Sequence, residues 1–287
     1  MPNQAIPSMP ELPEVETVRR SLLERVVGRV IVGVRPAAFP GVMGSEGIAA
    51  GAARLRDRRV DAIERRGKYL LFSLDDGTFL MVHLRMTGRL VLAARNDPSL
   101  RFEHLAIELD DGSDLRFADQ RKFGRVLPLL PEQVVVLDRR LGPEPLAASF
   151  TAETLASGLA RRRGKLKAVL LDQALIAGLG NIYVDEALFR ARLHPERRPD
   201  SLSRDEIRRL HRAVRAVLRE AIANQGTTFS TFENAHGEAG ANQENLRAYG
   251  RGRSAQPCLR CGRPFGLLTV GGRSTHYCAR CQPLAVA

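Results

Sequence analysis

All four cysteines of this 287-residue chain fall in its last 30 residues, as Cys258-x-x-Cys261 and Cys278-x-x-Cys281 with 16 residues between the pairs. Two thiolate pairs at that spacing supply the four soft ligands of one tetrahedral Zn2+. A unit this small lacks the core to fold without the ion. Four thiolates leave no open coordination position, so the expected role is structural. Between the pairs, Phe265–Val270, Gly271-Gly272 and Arg273–Tyr277 read as strand, turn and strand. Zinc would staple the base of that hairpin and hold Arg273 just past its tip. Arg273 is then either one more surface arginine or a rigidly held cation for a nucleic-acid phosphate.

Charge narrows the choice. Lys and Arg total 44 against 32 for Asp and Glu, a net charge of +12 with a pI near 10.5. Such a balance points to a polyanionic partner, nucleic acid ahead of an anionic membrane. No run approaches 18 apolar residues, so no membrane-spanning helix is expected. Residues 1–8 carry neither the basic cluster nor the apolar core of a secretory signal and read as a tail, which leaves the cytoplasm as the expected location.

The apolar positions Val15, Val18, Leu22, Leu23 and Val26 share one helical face, with Pro13 in the first turn and Gly28 at the end. The next hundred residues read as short strands. Val30–Val34 is one; Tyr69–Leu74 and Phe79–Leu84 flank the turn Asp75-Asp76-Gly77; Leu105–Leu109 and Leu115–Ala118 flank Asp110-Asp111-Gly112. This predicts an α+β chain that opens with an antiparallel β-sandwich and a leading helix. Leu141-Gly142-Pro143-Glu144-Pro145 breaks both helix and strand and begins a linker. Residues 151–225 read as helical, with Ser203 and Glu206 as a capping box. The polar, Gly-rich stretch 226–256 reads as a mobile loop. The expected boundaries are a tail at 1–8, a sandwich domain at 9–141, a linker at 142–150, a helical domain at 151–245 including a loop, and a zinc finger at 246–287.

Four further constellations could carry chemistry. Met9-Pro10-Glu11-Leu12-Pro13-Glu14-Val15-Glu16 packs two prolines and three glutamates ahead of the first helix. Gly178-Leu179-Gly180-Asn181 precedes a helix through Tyr183–Arg190; Asn181 is expected as its N-cap, and Arg161, Arg162, Arg163, Lys165 and Lys167 lie upstream. A helix start with free N–H groups suits an anion, although an ordinary capped helix reads the same way. Arg65-Arg66-Gly67-Lys68-Tyr69 puts Lys68 beside a strand, as a buried acid–base group, a phosphate contact or a plain surface lysine. Leu84-Arg85-Met86-Thr87-Gly88 and Asp119-Gln120-Arg121-Lys122-Phe123-Gly124 each set a large side chain at a Gly-ended turn, as core residues or as wedges for DNA.

Taken in order, Met9–Glu16, Gly67-Lys68-Tyr69, Arg121-Lys122-Phe123-Gly124, Gly178–Tyr183 and the four cysteines resemble the formamidopyrimidine-DNA glycosylase family over Met9–Cys281. Leu12, where the related endonuclease VIII group usually has glycine, favours the formamidopyrimidine branch. The resemblance implies a helix-two-turn-helix in the central domain and duplex DNA held in the cleft between two domains by a monomer. It implies excision of oxidised purines (8-oxoguanine, formamidopyrimidines), followed by β- and δ-elimination through a Schiff base on an N-terminal proline. By motif, Pro10 is the nucleophile, Glu11 the proton donor at the sugar, Lys68 the lysine of β-elimination and Arg273 the arginine of δ-elimination. Met86, Arg121 and Phe123 fill the hole left by the extruded base. Arg162, Lys167, Asn181 and His104 are the further DNA contacts, His104 standing two residues past Phe102, which replaces a histidine frequent in the family. The loop at 226–245 would close over the extruded base. An amide nitrogen has no nucleophilic lone pair, so Met9 is expected as the initiator, removed to free Pro10. Two rival readings follow: an endonuclease VIII-like enzyme for oxidised pyrimidines, and a non-catalytic binder of damaged DNA in which Pro10 stays acylated.

Overall fold

Pro13 suits a first helical turn, and the stripe Leu12, Val15, Val18, Leu22 and Val26 gives helix α1 (Leu12–Val26) one fully buried face, each side chain no more than 1% exposed. Burial of each such side chain contributes roughly 1.5–3 kcal/mol, which is why a helix with three glutamates and three arginines docks firmly. The computed structural model describes residues 9–45, 47–229 and 232–284. The expected tail at 1–8 lies outside them.

Two compact units account for the described chain: residues up to Arg139 together with Asn224–Gln243, and Arg140–Ala223 together with the residues from Glu244 onward. In the first, α1 leads into β1 (Val30–Pro36), α2 (Gly47–Leu55), β2 (Arg58–Arg66), β3 (Tyr69–Leu74), β4 (Phe79–His83), β5 (Gly88–Ala94), β6 (Glu103–Leu109), β7 (Ser113–Asp119), β8 (Arg125–Leu129) and α3 (Pro131–Arg139). The strands run in the order β5-β7-β6-β1-β2-β3-β4-β8, and every pair is antiparallel. Only Val30↔Arg59 and Ile31↔Arg58 join β1 to β2, so the sheet divides into two four-stranded halves. Ile31, Ile107 and Phe117 from one half and Ile63, Phe72 and Val82 from the other meet in a single core with α1, the expected sandwich.

Both anticipated turns carry the same local device. Asp76 Oδ1 accepts from the Thr78 N–H (3.0 Å) and hydroxyl (2.6 Å), and Asp111 Oδ1 accepts from the Ser113 N–H (3.0 Å) and hydroxyl (2.6 Å). Strands β2, β5 and β8 escape a reading by composition. β2, Arg-Arg-Val-Asp-Ala-Ile-Glu-Arg-Arg, buries only Val60 and Ile63 and owes its place to its neighbours.

The stretch from 226 is not the loose connection its polarity suggests. Asn224–Gln243 belongs with the sheet, whereas the sequence groups 226–245 with the helices. Phe232 and Ala235 enter the core of the sandwich. The Ala235 N–H donates to Ser21 Oγ (3.1 Å), and the Leu92 N–H donates to the Ala235 carbonyl (2.8 Å). Polar residues there satisfy backbone groups of a packed segment rather than facing water.

In the second unit, α4 (Ala152–Ala160) is capped by the Thr151 hydroxyl, which accepts the Thr154 N–H at 3.1 Å. α5 (Leu166–Leu170), α6 (Asn181–Ala191) and α7 (Arg204–Ala223) follow. The capping box opens α7: the Ser203 N–H donates to Glu206 at 2.8 Å, and the Glu206 N–H donates to Ser203 at 3.2 Å. β9 (Gly266–Val270) and β10 (Arg273–Tyr277) pair through Arg273↔Val270 across Gly271 and Gly272. Both glycines have positive φ (59° and 70°), the two-residue hairpin geometry that side chains resist.

Candidate active site and DNA-contact residues

Pro10 and Glu11 are buried at the amino end of α1, with Glu11 as its N-cap. The Glu11 N–H donates to Glu14 Oε2 at 2.8 Å, and the other oxygen of Glu14 accepts the Thr227 N–H at 2.7 Å. A Cβ on Gly226 would sit 3.0 Å from the Phe232 ring and 3.2 Å from Glu14, at φ +82°, so this approach depends on glycine. One turn further on, Glu16 takes three guanidinium groups. Arg19 binds both of its oxygens (2.8 and 3.1 Å), Arg20 binds Oε1 (2.8 Å) and Arg65 binds Oε2 (3.2 Å). Burial alone would raise the Glu16 carboxyl; the hydrogen bonds and charges of the arginines outweigh it and hold it at about 2. Arg65 also donates to the Gly67 carbonyl at 3.0 Å. The turn carrying Lys68, which is only 4% exposed, is thereby tied to the helix carrying Pro10 and Glu11.

His83, which no motif announced, is buried at the end of β4. Burial first, then the positive charges of Arg85 and Lys68, push its imidazole down to about 3. Its Nδ1 accepts the Arg85 N–H at 3.0 Å, and its ring meets Tyr69 edge-on at 4.4 Å. The pairing Tyr69↔His83 across β3 and β4 is a register fact that spacing alone does not carry.

Met86, Arg121 and Phe123, widely separated in sequence, come together. Arg121 Nη1 lies 2.9 Å from Met86 Sδ, and its guanidinium stands 4.9 Å from the centre of the Phe123 ring. Phe123 is 49% exposed, an unusual position for a large apolar ring and one suited to a wedge.

Two expected contacts lie inside the protein. His104 is 2% exposed; its Nε2 lies 2.7 Å from the Asp119 carbonyl and its ring meets Phe39. Lys167 is fully buried: its ammonium lies 2.7 Å from Asp185 and donates to the Ser274 carbonyl at 2.7 Å. Basic character in a sequence does not distinguish a surface cation from one that desolvation and a buried partner hold inside. Arg162 is half-exposed and paired with Asp172. Asn181 is the first residue of α6 rather than its cap, which is Gly180. Arg273 is exposed at the start of β10.

The four cysteine sulfurs lie within 4.8 Å of one another, with Cys258–Cys281 at 3.9 Å and Cys261–Cys278 at 3.5 Å, and none forms a disulfide. Zn–S bonds of about 2.3 Å at tetrahedral angles place sulfurs about 3.8 Å apart, so this set fits one structural Zn2+. Phe189, Ala248 and Phe265 pack around Cys258 and Cys278.

The formamidopyrimidine-DNA glycosylase N-terminal domain matches residues 9–126, the H2TH domain of that enzyme matches 141–233, and a zinc finger found in FPG and IleRS matches 255–284. The chain belongs to the formamidopyrimidine-DNA glycosylase family. It is 46% identical over 274 residues to the family member from Herpetosiphon aurantiacus, covering 96% of this chain and 100% of that one. Among solved structures, Lactococcus lactis Fpg in complex with DNA containing an abasic site superposes with a TM-score of 0.88 at 37% identity, covering 95% of this chain and 99% of that one. MutM (Fpg) from Thermus thermophilus superposes with a TM-score of 0.85 at 41% identity, covering 96% and 100%. The family match thus takes in the proline-glutamate stretch, the Lys68 turn and the four cysteines. No helix among the described residues is long and apolar enough to cross a membrane.

Proposed function

We infer that this chain is a bifunctional DNA glycosylase and abasic-site lyase that excises oxidised purines from duplex DNA. Family membership supplies the class of enzyme. Relatives from Lactococcus lactis solved with Fapy-dG-containing DNA and with abasic-site DNA supply the substrate and the intermediate. The observation that carries the reading is the Glu16–Arg65–Gly67 connection, which fixes a buried lysine turn against the helix that presents a proline and a glutamate.

We assign the nucleophile to the Pro10 nitrogen. As a terminal amine it would titrate at about 8, so a useful fraction is neutral at pH 7. Its lone pair attacks the sugar C1′ of an extruded nucleotide while Glu11 donates a proton at the sugar. The base departs with the electrons of the glycosidic bond and takes up a proton. The Pro10 nitrogen then loses its own proton, and the C1′–O4′ bond breaks as O4′ leaves with the proton from Glu11, which opens the sugar ring. The resulting iminium between Pro10 and C1′ acidifies the C2′ proton, whose loss expels the 3′ phosphate, the β-elimination we assign to Lys68. A second elimination expels the 5′ phosphate with Arg273 in attendance. Met86, Arg121 and Phe123 occupy the vacated stack, and Arg162 and Asn181 take phosphates; His104 and Lys167 enter as supports for backbone, not as contacts. The setting we propose is a monomer acting on the chromosome in a bacterial cytoplasm.

This chemistry requires Pro10 to be the first residue of the active form. Borohydride trapping on an 8-oxoguanine duplex tests it, with chains beginning at Met1 and at Pro10 compared side by side. A covalent adduct from the Pro10 chain and none from a Met1 chain that mass spectrometry shows intact is the expected result. Absence of an adduct from both would leave the non-catalytic binder. Faster excision of thymine glycol than of 8-oxoguanine would move the chain to the endonuclease VIII-like class.

A further inference from the structure

Asp119 closes strand β7 with a side chain that is 1% exposed, and every hydrogen bond of its carboxylate among the described residues goes to a turn proposed to enter DNA. Oδ1 accepts from the Thr87 hydroxyl, next to Met86, and from the Arg121 N–H at 3.1 Å. Oδ2 accepts the Gly124 N–H at 2.7 Å, beyond Phe123. The Arg121 N–H is shared with Thr87 Oγ1 at 3.2 Å, which closes a small ring of polar contacts between the two turns. The backbone of the same residue anchors a third turn: its N–H donates to the Phe102 carbonyl at 3.0 Å, and its carbonyl accepts from His104 Nε2, placed at 2.7 Å.

The geometry around this carboxylate is constrained from several sides. Lys122, between Arg121 and Phe123, adopts φ 59°, and Phe102 adopts φ 64°, left-handed conformations that non-glycine residues hold only when neighbours enforce them. A Cβ on Gly124 would stand 2.4 Å from the Phe117 ring and 3.2 Å from Asp119 Oδ2, so the turn comes down onto the carboxylate only because residue 124 is glycine. The exposed side chains Arg121 and Phe123 extend from a backbone pinned at both ends to one buried acid. A wedge inserted into stacked bases must be stiff, because ordering a floppy loop during insertion would offset the gain from filling the hole.

We propose that Asp119 is the positioning residue of the DNA wedge: one carboxylate sets the Met86 turn against the Arg121–Phe123 turn, so that the three side chains enter the duplex as a preformed unit. This rests on the assignment of Met86, Arg121 and Phe123 as the wedge. It adds to that assignment the group that holds them, which itself touches neither base nor sugar.

Asp119→Asn is the direct test, because an amide keeps the size of the side chain while turning one acceptor into a donor that faces N–H groups. The readout is the fluorescence of 2-aminopurine placed opposite an abasic-site analogue, which reports insertion, together with excision of 8-oxoguanine from duplex. Borohydride trapping on single-stranded abasic DNA, which needs no wedge, is the control for the covalent chemistry. Asp119→Asn should lose most of the insertion signal and at least tenfold in duplex excision, with single-strand trapping unchanged within twofold. Arg121→Ala and Phe123→Ala should lose the same signal. If those two retain it, the wedge assignment fails. If they lose it and Asp119→Asn keeps it, the positioning role fails. Should Asp119→Asn lose single-strand trapping as well, Thr87→Val decides: it removes one of the carboxylate's partners and should cut duplex excision about threefold with trapping intact, and a wild-type insertion signal in it would overturn the proposal.

Discussion

The Glu14 carboxylate joins the Glu11 N–H to the Thr227 N–H, residues more than two hundred positions apart, through hydrogen bonds of 2.8 and 2.7 Å. The proposed catalytic end of the chain and the segment expected to close over the extruded base thus share one anion. Glu14→Gln can satisfy one of these donors and presents its own N–H to the other. Hydrogen bonds to a charged group contribute about 1.5–3 kcal/mol, so duplex excision should fall roughly ten- to a hundredfold. Amide exchange at Thr227 should accelerate in the same variant. Wild-type exchange at Thr227 together with wild-type excision would show that the bridge is idle.

Acid should weaken the first unit through two groups with depressed pKa values. The Glu16 carboxyl is held at about 2 against an ordinary 4.5, so its contribution is complete above pH 4.5 and is lost as pH falls toward 2. A shift of that size corresponds to at most ~3 kcal/mol. His83 sits at about 3 against 6.5, so between those values the unfolded chain binds the proton that the folded one refuses, and stability again falls with falling pH. Denaturant unfolding of wild type and Glu16→Gln between pH 7 and pH 3 checks the first term. The gap between them should narrow below pH 4.5; a constant gap would rule out the arginine clamp as its source.

These two predictions rest on contacts that the sequence did not show, although it was informative elsewhere. The cysteine spacing led to four sulfurs in reach of one ion, the Asp-Gly turns led to β3–β4 and β6–β7, and motif order led to the family. The clamp on Glu16 and the neutral His83 depend on register and on which arginine reaches which oxygen, and a one-dimensional reading has no access to either. Lys167 shows the same gap from the opposite side, since a lysine in a basic run is read as a surface cation until its burial is known.

Cys258→Ser should abolish zinc binding, because three thiolates and a hydroxyl make a much poorer site, and should unravel the Phe189–Phe265 contact that packs on the cysteines. Metal content by atomic absorption and DNA affinity should fall together. The far-ultraviolet signal of the sandwich should remain, since its core residues and those of this cluster form separate groups. Full DNA affinity without metal would contradict the structural role.

Lys167→Met leaves Asp185 buried beside the His276 N–H, which it accepts at 2.9 Å, without its cation. Losing one partner of a buried pair costs about 3–5 kcal/mol, and thermal unfolding of the second unit should show it. Adding Asp185→Asn removes the stranded charge while keeping an acceptor for His276, and should recover more than half of the loss. A double variant no more stable than Lys167→Met would mean that the lysine acts through packing alone.

The return of Asn224–Gln243 to the sandwich sets a timetable for synthesis. The ribosome releases β8 roughly 100 residues before Phe232 and Ala235, an interval on the order of 5–20 s at about 5–20 residues per second. During that interval the sheet is complete in strands yet lacks two side chains of its own core, and its uncovered apolar surface makes the nascent chain a natural client for chaperones at the exit tunnel. A fragment ending at Arg139 would carry the same gap permanently, so the whole first unit includes a segment that the chain supplies only after the helices.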